Sequence, residues 1–186
     1  MVARMDVAVM KKRPGRLARW RGAASDALPS PSMVVFGSAI WGLIMMISAL
    51  VGIWLRNGLI VANPFAIASV FFYGGALAFT PAFWLARLCF GRYGKILRFV
   101  SGAVVIALAT HTATSAIFAL QYRMFYAHWH ADFPSVVWFF QLGFTSAGAV
   151  FTFTVGSLHY YYWPASFLAF LGFGLWFAFR NSSQAH

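Results

Sequence analysis

Two imidazoles and a carboxylate crowd one short connection of this chain, at His128, His130 and Asp132. In an extended backbone alternate side chains point the same way. The three would then present together a nitrogen and oxygen donor set that suits zinc or copper. The spacing is a weak signal by itself, and the same stretch holds Tyr122, Phe125, Tyr126, Trp129 and Phe133. Such amphipathic rings settle at the boundary between lipid and water, so an interfacial anchor explains the segment as well. Hydrolytic chemistry would need a nucleophile with an oriented base, or a pair of carboxylates. The chain has only Asp6, Asp26 and Asp132 as acids and no Glu. Ser135 follows the histidines, but a serine near a histidine in a loop carries little weight. The reading is therefore non-enzymatic, with a membrane-embedded enzyme using His128, His130 and Asp132 as an alternative.

His111 is the one ionisable side chain expected inside a bilayer, where burial is costly without a partner. Helical spacing sets Thr114 and Ser115 on its face. A second apolar block offers Gln141, Thr145, Gly148, Thr152 and Gly156 at intervals of three and four, a small and polar stripe of the kind that seats one membrane helix on another. Matching depths from opposite directions pairs His111 with Thr145, so contact between the two stripes is expected. As a hydrogen-bonding contact this is worth on the order of 1 kcal/mol. Haem would require a second histidine at that depth on a facing helix, and no other block has one, so no cofactor is expected. Ion-coupled transport generally places carboxylates or other charges within spans. None falls inside the blocks, which leaves a facilitator of a neutral or lipid-like molecule, moving past His111, Thr145 and Thr152, as a further alternative. Cys89 is alone and forms no intrachain disulfide.

The elements that must position these residues are long and apolar. The 186 residues are 61% hydrophobic and 9% charged, against about 25% charged in a typical soluble domain. Uncharged blocks at 33–55, 64–86 and 99–122 are each long enough to cross a hydrocarbon core of about 30 Å. The charge-free run 135–179 would extend about 67 Å as one helix, so it divides at Gly156–Pro164 into spans 135–156 and 162–179. Pro81 should kink the second span. The expected fold is an all-α membrane bundle of five transmembrane helices over 33–180, preceded by an unfolded basic tail and linker (1–32) and followed by a short external tail (181–186). The first span is too long, and lacks a small-residue cleavage site, to read as a removable signal peptide.

A net charge of +11 first brings nucleic acid to mind. Its distribution argues for topology instead. Seven Lys and Arg precede the first span and four more lie at Arg87, Arg92, Lys95 and Arg98, whereas Arg56, Arg123 and Arg180 fall on the alternate connections of a five-span threading. Positive residues stay cytoplasmic, so the N-terminus is expected inside and the C-terminus outside a bacterial cytoplasmic membrane, although the acid-poor tail also fits an organelle. Trp54, Trp84, Trp129, Trp138, Trp163 and Trp176 sit near expected helix ends, and Trp41 lies within a span. The partners implied are the lipid bilayer and either another membrane protein or a second copy, with no nucleic acid. The role implied is that of an accessory or scaffolding subunit.

Overall fold

A computed structural model describes residues 16–57, 63–126, 131–160 and 162–180. The described residues form six helices and no strand: α1 (Arg16–Asp26), α2 (Pro31–Asn57), α3 (Pro64–Phe90), α4 (Lys95–Tyr126), α5 (Val136–Tyr160) and α6 (Ala165–Arg180). Four of them, α2 to α5, are long and apolar enough to cross a membrane. With 16 residues, α6 extends about 24 Å, short of a hydrocarbon core of about 30 Å.

Local chemistry sets the helix starts. Ser30 Oγ accepts from Met33 N at 3.4 Å ahead of Pro31, Asn63 Oδ1 accepts from Ala66 N at 3.1 Å ahead of Pro64, and Ser135 Oγ accepts from Trp138 N at 3.1 Å. Each satisfies an amide that the first turn leaves without a helical partner, and proline is tolerated there because its missing N–H would have no partner either. Helix α3 continues through Pro81.

The unfolded segment expected over 1–32 is corrected by α1 and the start of α2 for residues 16–32, while 1–15 lie outside the described residues. The Arg, Leu, Ala and Trp of α1 are helix-forming, and the helix is held against the bundle where Trp84 Nε1 donates to Ala24 O at 3.0 Å. Ala27, just beyond α1, is buried.

Helices α2, α3 and α4 run alternately up and down. Ser38 meets Thr80 at one end of the α2–α3 pair, while Gly42 faces Phe72 and Gly75 faces Met45 farther along. Glycines allow this approach. A Cβ on Gly75 would come within 3.2 Å of the Gly42 Cα, and one on Gly74 would fall on Thr114 of α4. Between the helices lies an aromatic core of Trp41, Phe71, Phe79, Phe83, Phe153, Phe173 and Phe177.

The second correction concerns the chain's direction after α5. Along α5, Trp138 lies under the Arg123 guanidinium and Thr154 beside His111, so α5 runs antiparallel to α4. Along α6, Phe170 and Phe173 pack on Trp41, Trp41 is bonded to Thr110, Phe177 lies by Gly102, and Lys95 Nζ stands 5.4 Å over the Phe179 ring. Helix α6 therefore also runs antiparallel to α4. The expected reversal at Gly156–Pro164 is absent: α5 and α6 are two segments of one descending path, interrupted near the level of His111. The end of α6 lies beside the start of α4, where the buried Arg98 guanidinium donates to Ala178 O. A cation on the last carbonyls of a helix answers both their missing partners and the helix dipole.

Candidate functional site

The interrupted path puts a polar level inside the aromatic core. On α4, Thr110, His111, Thr114 and Ser115 occupy consecutive helical turns. Trp41 Nε1 donates to Thr110 Oγ1 at 3.0 Å, and Thr114 Oγ1 donates back to Thr110 O at 2.6 Å. His111 Nε2 and Thr154 Oγ1 are 3.0 Å apart. The imidazole is walled by Phe153, centroid distance 5.6 Å, and by Tyr162 at 5.9 Å. Tyr162 lies in the connection between α5 and α6, against Phe71 and Phe170.

Among the described residues, His111 Nδ1 and Ser115 Oγ are buried at this level without a hydrogen bond, and the Tyr162 hydroxyl has no partner in good hydrogen-bond geometry. The Tyr162 hydroxyl faces Thr114, whose oxygen can accept from it while its own proton goes to Thr110 O. A buried polar group left without a partner carries a desolvation penalty of about 1–3 kcal/mol, so this level is where the interior is least satisfied.

The contact expected between His111 and Thr145 is not made. Thr145 Oγ1 donates to Gln141 O of its own helix at 2.6 Å, and Gln141 Oε1 accepts from Ala131 N at 2.8 Å. Thr152 is exposed. The register is offset from the expected one: Trp138 lies under Arg123 and Thr154 lies beside His111. The face that α5 turns to α4 carries Ala149, Phe153 and Thr154, while Gly148, Thr152 and Gly156 point outward. Sequence reasoning missed Thr110, Thr154, Tyr162 and Arg98. A span beginning at 99 leaves Arg98 just outside it, yet α4 starts at Lys95.

Of the candidate metal set the structure places Asp132 alone. His128 and His130 lie outside the described residues, Asp132 is exposed, and no group of three or more His, Cys, Asp or Glu among the described residues could hold a metal ion. Ser135 caps α5. Trp163, expected at headgroup level, is exposed at the α5–α6 connection beside the His111 level.

The second feature is the outer face of α5. A Cβ on Gly143, Gly148 or Gly156 would meet nothing within 4 Å, whereas the glycines Gly37, Gly42, Gly74, Gly75, Gly102 and Gly174 each abut a neighbouring helix. Phe140, Phe144, Phe151 and Val155 stand exposed beside those open glycines. No family model, curated protein or solved structure matches this chain.

Proposed function

We propose that this is a multi-pass integral membrane protein acting as a non-enzymatic accessory or scaffolding subunit, and that α5 is the helix it offers to another transmembrane helix. The observation carrying this reading is the contrast between glycines. Glycines let the α2–α3, α3–α4 and α4–α6 contacts close, whereas Gly143, Gly148 and Gly156 of α5 sit where a Cβ would meet nothing. Small residues bring membrane helices into backbone contact, where dispersion and weak hydrogen bonds act. A helix that faced only lipid would have no use for them.

The proposed threading has four crossings, α2, α3, α4 and the α5–α6 path, in a membrane of the bacterial cytoplasmic type. Twelve of the fourteen Lys and Arg then belong to one side: seven that precede α2, with Arg87, Arg92, Lys95, Arg98 and Arg180. Only Arg56 and Arg123 belong to the other. This bias exceeds that of the five-span threading and favours both ends of the bundle chain on the cytoplasmic side.

The test is the native mass of the protein purified in mild detergent. A complex heavier than the 20.6 kDa chain, reduced to the monomer by Gly148→Leu with the bundle's unfolding midpoint unchanged, is the expected result. A wild-type monomer with no bound polypeptide would contradict it.

A facilitator for a neutral or lipid-like molecule is the second reading, favoured by one observation. Interrupted helices near mid-depth often line transport sites, and here the interruption coincides with unsatisfied atoms on His111 and Ser115 and with a Tyr162 hydroxyl that has no partner in good geometry. Flux into vesicles that fell on Tyr162→Phe without loss of folding would favour it over the subunit reading.

A further inference from the structure

Among the described residues nothing covers the apolar strip of helix α1, at the end of the bundle where Arg87, Arg92, Lys95 and Arg98 gather. Helical spacing places Leu17, Trp20 and Ala24 on one strip, with Arg21 at its margin. Leu17 is 79% exposed and Trp20 66%. The backbone at Ala24 is fastened to Trp84 and Ala27 is buried, so α1 is held at the end of α3 and is not free to fold its strip inward. The turn between α3 and α4 repeats the pattern at the same end of the bundle: Tyr93 and Ile96 are exposed beside exposed Lys95. Large apolar side chains open to the surroundings and interleaved with cations are unfavourable in water. They match the boundary where acyl chains meet headgroups, with cations among phosphates and rings below them.

We propose that α1 is an in-plane interfacial helix and that it forms, with the α3–α4 turn, a binding surface for anionic phospholipid. The apolar exposure decides against RNA or another soluble polyanion, which would use the cations but leave Leu17, Trp20 and Ile96 uncovered. The occupant is the cytoplasmic leaflet's phosphatidylglycerol or a lipid of like charge. The inference rests on membrane insertion of the bundle and is independent of what docks on α5.

The experiment uses the full chain carrying Cys89→Ser, with a nitroxide on Leu17→Cys or, separately, on Leu108→Cys, in vesicles of phosphatidylcholine alone or equimolar with phosphatidylglycerol. Leu108 lies on the exposed flank of α4. The label at 17 should be accessible to oxygen and shielded from a water-soluble nickel chelate, more so with phosphatidylglycerol. Arg21→Gln should lower the ratio of co-purified phosphatidylglycerol to phosphatidylcholine about fivefold. An aqueous label at 17 with a buried label at 108 would overturn the lipid surface and leave the membrane fold standing. Aqueous labels at both positions would overturn the membrane placement and this surface with it. Binding of an RNA oligonucleotide that Arg21→Gln abolishes, with no preference between the lipids, would overturn it in favour of a polyanion.

Discussion

At the scale of single residues the interior holds polar atoms that are satisfied beside others that are not, and this makes the direction of a substitution calculable. His111→Phe keeps the ring contacts with Phe153 and Tyr162 and removes the unbonded Nδ1, so the unfolding free energy should change by less than about 1 kcal/mol. Thr154→Val should cost more, about 1–2 kcal/mol, because both imidazole nitrogens would then be buried without a partner. Finding the opposite order in detergent unfolding would show that the Thr154 bond is not what holds the imidazole. Arg98→Ala removes the cation from the Ala178 carbonyl and should destabilise by about 2 kcal/mol, read as a lower unfolding midpoint. It should also increase proteolysis at the end of α6. Of these residues only His111 announced itself in the sequence, since an ionisable group in an apolar run is conspicuous. Thr154 and Tyr162 did not, because a threonine or tyrosine in a membrane helix is unremarkable until a neighbour's register is known.

At the scale of elements, helix existence was legible and helix relation was not. The spans expected at 33–55, 64–86, 99–122 and 135–156 correspond to α2, α3, α4 and α5, because length, hydrophobicity and the capping residues Ser30, Asn63 and Ser135 are local properties. Pro164 did mark the start of α6, whereas Gly156 and Ser157 lie inside α5, which continues to Tyr160. These residues carry no information about which way the chain leaves, and the assumption that each stop is a reversal produced the five-span threading. The axial offset between neighbouring helices is equally silent in sequence, so the partner of His111 on α5 lies nine residues from the expected one, at Thr154 in place of Thr145. A paired glycine experiment tests the packing. Gly74→Ala would drive its Cβ onto Thr114 and should lower the unfolding midpoint clearly, whereas Gly148→Ala, facing open space, should leave the monomer's midpoint unchanged or raise it, given alanine's better helix propensity. Equal loss from both would mean that α5 is covered within the monomer.

At the scale of the molecule, the central claim is that α5 and α6 make one interrupted crossing, so that α6 ends where α4 begins. Composition made the membrane class legible, and charge distribution gave the orientation rule. What the rule acted on, the number of crossings, depended on contacts among Trp41, Phe173, Phe177 and Gly102 that join distant parts of the chain. On the proposed reading, α1, the cationic end and the open flank of α5 would divide the surface into three parts, facing headgroups, cytosol and a partner. The most direct measurement is side-specific labelling of single cysteines in the Cys89→Ser background with an impermeant maleimide, applied to sealed vesicles of defined orientation. Cysteines replacing Arg92 and Arg180 should react from the same side, and one replacing Asp132 from the opposite side. Reaction of the residue-180 cysteine from the Asp132 side would contradict the single interrupted crossing.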